Sequence, residues 1–276
     1  MLAPVPNQQA DAQRLFTTLK GGGIALCPTD VGYSLLAATP SGIEKIFMTK
    51  QRTAAKRHPM MGSYSLHKEL HVLSFERAEI VRVITQELKL PLAVVAKYDP
   101  EHRVIKTLSN EGLEASTANG TVVLMMGTGG VGEELTKLCE AEGLVLQGSS
   151  ANPSGTGDFF SSNLRNSKLN EQGNKFTLES VPQEIRQIAD IELDYGLTKY
   201  WFYGRASTMI DFSKGELEVV RIGVCYEVIK DVLKRFWEVE LPEDPGREAL
   251  PFGNLKQLPP SESLSKLIEK TSHVKS

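Results

Sequence analysis

Lys50, Gln51 and Arg52 place two cations within one turn of chain, and Lys56, Arg57, His58 and Pro59 follow close behind. Cations packed this densely suit the neutralisation of a polyanion. Two further stretches carry donors that could share the task. Pro28-Thr29-Asp30-Val31-Gly32-Tyr33-Ser34-Leu35 offers a hydroxyl where a strand ends. Ser149-Ser150-Ala151-Asn152-Pro153-Ser154-Gly155 follows a buried-type strand with hydroxyls and backbone N–H groups that can cradle phosphate oxygens. Ser207, Thr208 and Arg221 add donors on a late hairpin. Alone, the basic run reads as a wet surface loop. With the other three stretches it makes a multi-donor anion site on strand ends, where open α/β sheets bind ligands.

Competing chemistries fit less well. Gly127-Thr128-Gly129-Gly130-Val131-Gly132 matches Gly-x-Gly-x-x-Gly, follows a strand and opens a helix, as dinucleotide binding requires. The next strand should then end in an acid for the ribose hydroxyls, and Leu144-Val145-Leu146 ends in Gln147. A dinucleotide oxidoreductase is therefore the third reading. His58, His67, His71, His102 and His273 are read as separate, solvated residues, and no metal centre is expected from them. Gly148-Ser149-Ser150-Ala151-Asn152 lacks the closing glycine of a nucleophile elbow.

The chain that must position these residues has 276 of them, 41% hydrophobic and 24% charged, so it can bury a core without staples. Its net charge of -3 recruits no nucleic acid globally, so any RNA or phosphate binding must be local. Cys27, Cys139 and Cys225 are odd in number and never in a Cys-x-x-Cys spacing, which suits buried thiols in a reducing compartment. No apolar run approaches a membrane span, and Met1 to Pro6 does not resemble a signal peptide. A soluble, cytoplasmic protein is expected.

Hydrophobic spacing predicts a helix over 8–20 with Ala10, Leu15, Phe16 and Leu19 on one face, stopped by Gly21-Gly22-Gly23. A strand over 24–27 ends at Pro28, and another covers 33–38. Ser41-Gly42-Ile43-Glu44 reads as a capping box opening a helix that ends at Lys50. Further strands are predicted at 59–64, 92–96, 121–126 (buried on both faces) and 144–147, the last followed by a loop at Ser149. Helices are predicted over 75–88, 133–142 and 226–237, and a hairpin over 206–222. Residues 157–203 form a polar excursion with a short helix near 184–189. The alternation predicts an α/β fold with a twisted, open, mixed sheet, flanking helices and a basic concave groove. Residues 1–225 are expected to form one domain, and 226–276 a helix and tail.

The order of these motifs resembles the YrdC family, the threonylcarbamoyl-AMP synthases, from about Asp11 to Gly223. The carriers are 22–35, then Lys50-Gln51-Arg52 with Lys56 and Pro59, then 150–155, and Ser207 to Asp211 with Val220-Arg221-Ile222-Gly223. The resemblance implies a nucleotidyltransferase that binds ATP and Mg2+. In such enzymes bicarbonate and L-threonine form a carbamate, which attacks the α-phosphate and releases pyrophosphate. A separate carbamoyl transferase then modifies an adenosine of tRNA. Carried over residue by residue, Lys50 and Arg52 are the catalytic phosphate-holding cations. Thr29, Lys56, Ser149, Ser150, Asn152, Ser207 and Arg221 would bind the nucleotide, and Tyr33, Ser63 and Met125 would line the substrate pocket.

Departures from the pattern gather at the amino-acid end. Val31 stands for a threonine, Ser34 for a glycine and Ser63 nearest a histidine; of a tryptophan-containing loop only Pro91 remains. Met125 replaces an arginine suited to threonine's carboxylate. The extra C-terminal domain of longer members is not expected here. Two expectations follow: an enzyme acting on threonine or a substitute amine, or an altered paralogue that binds nucleotide, tRNA or double-stranded RNA without synthesis.

Overall fold

The structure, a computed structural model, describes residues 7–50, 59–152 and 174–245. Helix α1 (Gln8–Lys20) opens where the Asn7 side chain accepts the Ala10 N–H at 3.2 Å and closes at Gly21. Its buried face is Ala12, Leu15, Phe16 and Leu19. Ala10, expected there, is exposed. Five residues before Leu15 is about 140° around the helix, whereas Ala12 sits one turn below.

The strands are β1 (Ala25–Thr29), β2 (Gly32–Ala37), β3 (Met60–Met61), β4 (Leu92–Lys97), β5 (Thr117–Ala118), β6 (Thr121–Met126), β7 (Leu146–Ser150), β8 (Ile191–Glu192), β9 (Thr208–Asp211) and β10 (Glu218–Arg221). Among the described residues they form one open mixed sheet in the order β10-β9-β4-β6-β3-β7-β2-β1-β8, with β5 beside β6. The helices after α1 are α2 (Pro40–Thr49), α3 (Tyr64–Leu70), α4 (Phe75–Arg82, continued by a π-turn over Val83–Glu87), α5 (Arg103–Thr107), α6 (Asn110–Ser116), α7 (Gly130–Ala141), α8 (Gln183–Arg186) and α9 (Tyr226–Trp237). The expected α/β class and twisted open sheet are what the chain adopts.

Several boundaries differ from expectation for local reasons. β1 does not end at Pro28 but runs through it to Thr29. Pro28 pairs with Tyr33 of β2, and β8 on the other side reaches only Ala25 and Leu26, so the missing N–H costs no ladder bond there. The cap of α2 is Thr39, which accepts the Gly42 N–H at 3.3 Å, rather than Ser41; Pro40 takes the first helical position. β3 stops at Met61 because Gly62 lies against Leu124, where a Cβ would fall 2.7 Å from Cδ1, and Ser63 already caps α3. α7 starts at Gly130, three residues before the predicted Glu133. β8 lay unpredicted in the polar excursion, as did α3, α5 and α6 elsewhere.

Alternation along the strands distributes the core. Ala25 and Cys27 of β1 pack under α1 and α7 with Leu15, Phe16, Val131, Leu135 and Cys139. Leu26, on the other face, meets Ile43 and Ile46 of α2 and Ile185 of α8. A third cluster sets Leu92 and Val94 of β4, Ile80 of α4 and Ile229 and Leu233 of α9 together. Each such large side chain contributes on the order of 2 kcal/mol by burial. β6, expected to be buried on both faces, buries only one: Val122, Leu124 and Met126 enter that third cluster, while Thr121, Val123 and Met125 are half-buried on the opposite face.

After α9 the chain folds back rather than leaving the surface at once. Leu241 enters the core, the Tyr226 hydroxyl donates to the Pro242 carbonyl at 2.6 Å, and Arg205 pairs with Asp244 at 2.6 Å. Residues 246–276, expected as a tail, lie outside the described residues, as does 157–173 of the excursion. Among the described residues no helix is long and apolar enough to cross a membrane.

Candidate nucleotide site

Three of the four donor stretches meet. Lys50 ends α2, and its ammonium, 3% exposed, donates to Ser149 Oγ at 2.6 Å and to the Ser150 carbonyl. Ser149 and Ser150 were expected in a loop. They belong to β7, because its ladder with β2 runs on to Ser150 opposite Ser34. The Ala151 N–H then donates to the Tyr33 carbonyl at 2.9 Å, and Asn152 is buried beside it. At the turn between β1 and β2, the Thr29 hydroxyl donates to the Gly32 carbonyl at 2.6 Å and accepts the Val31 N–H at 3.3 Å. A buried ammonium against hydroxyl and carbonyl oxygens is a strong, charge-assisted arrangement. Arg52 and Lys56, expected beside it, lie outside the described residues.

Tyr33 is a pillar as much as a pocket wall. Its ring is fully buried, its hydroxyl lies 3.0 Å from both Asp194 Oδ1 and the Gly196 carbonyl, and it accepts the Tyr195 N–H at 3.2 Å. Burial pushes its phenol well above the usual tyrosine range. The residue ties β2 to the far side of the excursion.

The second end of the site forms where the β1–β2 turn meets the loop after β6. The Asp30 N–H donates to the Thr128 carbonyl at 2.9 Å, so the β1–β2 turn touches the loop that follows β6. Gly129 permits the approach: its φ is +97°, and a Cβ there would lie 2.4 Å from Asp30 Oδ1. Val31 is thereby brought into one apolar cluster with Met125, Leu90, Tyr200, Tyr203, Val224 and Cys225. Ser207 Oγ lies 3.8 Å from Met125 Sδ. Arg221 donates through Nε to the Ser207 carbonyl at 2.8 Å and through Nη2 to Ser207 Oγ at 3.0 Å. Met125, Ser207 and Arg221, the first expected in the substrate pocket and the other two at the nucleotide, thus lie together.

Asp30, Lys199 and Tyr200 were given no role from sequence. The Tyr200 N–H donates to the Asp30 carbonyl at 2.9 Å, and Lys199 Nζ stands 3.5 Å from Asp30 Oδ2. Burial raises the pKa of Asp30, with Lys199 pulling the other way. The signal available was the aromatic run Tyr200-Trp201-Phe202-Tyr203 inside an otherwise polar stretch.

Two expectations resolve elsewhere. Ser63 caps α3, and both its N–H and its hydroxyl donate to the Glu140 carboxylate of α7, at 2.7 and 2.6 Å. It lines an open hollow with Lys68, Arg103 and Lys137 rather than joining the Lys50 or Met125 groups. His67 and His71, expected at the surface as separate residues, are buried together with their Nδ1 atoms 2.9 Å apart. His67 lies in the last turn of α3 and His71 caps its C-terminus, which brings the two rings together. Burial lowers their pKa values to about 4 and about 3. The glycines of 127–132 are packed by their own chain: a Cβ on Gly130 would strike Gln8 and one on Gly132 the Thr128 hydroxyl. All three cysteines are free and buried.

Among the described residues no group of three or more His, Cys, Asp or Glu side chains could hold a metal ion.

Comparison with known proteins identifies the fold. The Sua5/YciO/YrdC family model, described as telomere recombination, matches residues 17–223. No curated protein matches the sequence. Among solved structures, the hypothetical protein smu.1377c from Streptococcus mutans UA159 superposes with a TM-score of 0.65 at 20% identity, over 80% of this chain and 90% of that one. P. abyssi Sua5 complexed with L-threonine gives 0.61 at 19% identity, over 90% of this chain and 62% of that one. A full-length HypF in a phosphate- and nucleotide-bound form gives 0.53 at 17% identity, over 79% and 29%. The chain thus spans less than two thirds of the Sua5 and HypF chains.

Proposed function

The chain belongs to the Sua5/YciO/YrdC family, and on that footing we propose that it uses ATP to activate a carbamate, making a carbamoyl-adenylate of the L-threonylcarbamoyl-AMP type. An amine and bicarbonate condense to a carbamate with loss of water. A carbamate oxygen attacks the α-phosphorus, the bond from that phosphorus to the oxygen bridging to the β-phosphorus breaks, and pyrophosphate leaves. The product is a mixed anhydride, an activated acyl group that a transferase can pass to a nucleophile such as an adenosine amine of tRNA.

One observation carries the reading: the buried Lys50 ammonium held against Ser149 and Ser150 where β7, β2 and the end of α2 converge. A weak, anionic nucleophile approaching a triphosphate needs a fixed positive charge that does not have to reorganise. Lys50 supplies it, with Arg52 and Lys56 as further cations. Asn152 and the two serines orient phosphate oxygens, and Ser207 and Arg221 close the opposite wall. Magnesium, brought by ATP, would offset more phosphate charge. That P. abyssi Sua5 holds L-threonine and that HypF holds nucleotide and phosphate supports the two substrate classes.

The test is calorimetric ATP binding with magnesium, followed by amine-dependent pyrophosphate release. The wild-type chain should bind ATP and Lys50→Ala should lose it by tenfold or more, about 1.5–3 kcal/mol for a charge-assisted contact. Equal affinity in the two proteins would sink the reading. A second reading, a nucleotide- or RNA-binding paralogue without synthesis, draws support from the apolar cluster that holds Val31 and has Met125 packed against it. It predicts ATP or RNA binding with no pyrophosphate release from any amine.

A further inference from the structure

We infer that Arg205 and Asp244 are positioning residues for Arg221, and that the return of the chain over residues 239–245 is thereby a working part of the site. The inference rests on the carbamoyl-adenylate reading for the contact of Arg221 with a ligand, and goes beyond it in naming what holds that guanidinium in place. The family match ends at Gly223, so the segment that does the holding lies beyond it.

Three layers of contact lead from the return segment to Arg221. First, Arg221 is aimed by the chain at Ser207, donating through Nε to its carbonyl at 2.8 Å and through Nη2 to its hydroxyl at 3.0 Å. Ser207 is fully buried, so this anchor goes where its backbone goes. Second, that backbone is clasped by the stretch that follows Arg221. The Val224 N–H donates to the Ala206 carbonyl at 2.9 Å, and the Thr208 hydroxyl donates to the Val224 carbonyl at 2.9 Å while accepting the Gly223 N–H at 3.2 Å. A Cβ on Gly223 would fall 2.3 Å from the Ala206 oxygen, so the two stretches lie backbone to backbone. Displacing one displaces the other.

Third, the return segment grips both stretches. Two residues before Ser207, the Arg205 side chain is 8% exposed and donates through its two Nη atoms to the Asp244 carboxylate, at 2.6 and 3.4 Å. Just past Val224, the Tyr226 hydroxyl donates to the Pro242 carbonyl at 2.6 Å, and Leu241 is buried in the cluster that holds Ile229 and Leu233. A guanidinium this far out of water needs its counter-charge in place. Without the Asp244 charge, Arg205 turns toward solvent and draws the chain at 205–207 with it, which releases the anchor of Arg221.

The experiment uses the full chain labelled with 15N and follows the Arg221 side-chain Nε–H resonance, identified by its loss in Arg221→Lys. Asp244→Asn keeps the shape of that side chain and removes its charge. It should shift the Arg221 resonance and speed its exchange with water, whereas Leu19→Ala, a core truncation in α1, should leave it in place. Arg205→Lys, which keeps the charge but not the two-pronged contact, should move the resonance as Asp244→Asn does and takes its place if that variant fails to fold. In calorimetric binding of ATP with magnesium, Arg221→Ala should lose about tenfold, the value of one charge-assisted contact, and Asp244→Asn a part of that. The losses should not add: the double variant should bind as Arg221→Ala does. An Arg221 resonance unmoved by Asp244→Asn and Arg205→Lys overturns the inference, and so do losses that add in the double variant. A wild-type chain that binds no ATP removes the carbamoyl-adenylate reading, and the Arg221 resonance then still decides whether Asp244 positions it.

Discussion

Acidification should unfold this protein through one buried pair. His67 and His71 face each other at 2.9 Å between Nδ1 atoms, and both rings are buried. Neutral rings satisfy the contact, one donating and the other accepting; a proton on both does not. Burial holds their folded pKa values at about 4 and about 3, against 6.5 for a free imidazole. Lowered folded values mean that the stability is present above pH 6.5 and is lost as pH falls. At pH 5 the unfolded chain carries nearly two protons at these sites and the folded chain almost none, so the slope approaches about 2.7 kcal/mol per pH unit. Integrated from pH 7, the loss is about 3–4 kcal/mol by pH 5, a large share of an ordinary domain's 5–15 kcal/mol. Most carboxylates remain ionised in that window, so the pair dominates it. Asp30, whose pKa burial raises, acts in the opposite sense. Urea unfolding at pH 7, 6 and 5 reads the effect directly, and His71→Leu should roughly halve the pH slope. A stability that stays flat from pH 7 to 5, or a His67 or His71 imidazole titrating near pH 6 in the folded state by NMR, would refute the reasoning.

Three further outcomes are expected. Gly129→Ala, which drives a Cβ to 2.4 Å from Asp30 Oδ1 at φ +97°, should cost about 1–3 kcal/mol in urea unfolding, more than Gly143→Ala, where φ is +70° but space is open. Tyr33→Phe should lower stability by about 1–3 kcal/mol through lost hydrogen bonds to Asp194, Tyr195 and Gly196, while ATP affinity measured by calorimetry stays within twofold. Cys27 is buried and its thiol pKa is pushed up to about 12, so Ellman's reagent at pH 8 should leave it unmodified in the folded chain and react in urea.

Much of the fold could be read from periodicity. α1, α9, β4, β6 and the β9–β10 hairpin fall within a residue or two of expectation, because each has a long apolar pattern and clear stops. The short elements could not be read this way. β8 has two residues and exists because Ala25 and Leu26 of β1 offer an edge for it. α3 begins at a serine that also reads as the end of a strand, and only the contact of Gly62 with Leu124 decides between them.

The site divides in the same manner. Lys50, Ser149 and Ser150 could be paired from sequence because each motif carries its own chemistry. Tyr200 and Asp30 could not, since their roles come from the contact between the β1–β2 turn and the loop after β6. Met125 was legible as an absence of charge, but only the fold shows it packed against the cluster that holds Val31. The histidine pair was missed because solvated histidines are the commoner case, and four-residue spacing acquires meaning only once α3 is known to be a helix that His71 caps.

The central claim is that ATP here activates a carbamate. Mass spectrometry of products from ATP, magnesium, 13C-bicarbonate and a pool of amines and amino acids tests it most directly. The account predicts an adenylate one mass unit heavier than its unlabelled counterpart, formed with equimolar pyrophosphate and lost in Lys50→Ala. An ATP-bound protein that yields no bicarbonate-labelled adenylate from any member of the pool would contradict it.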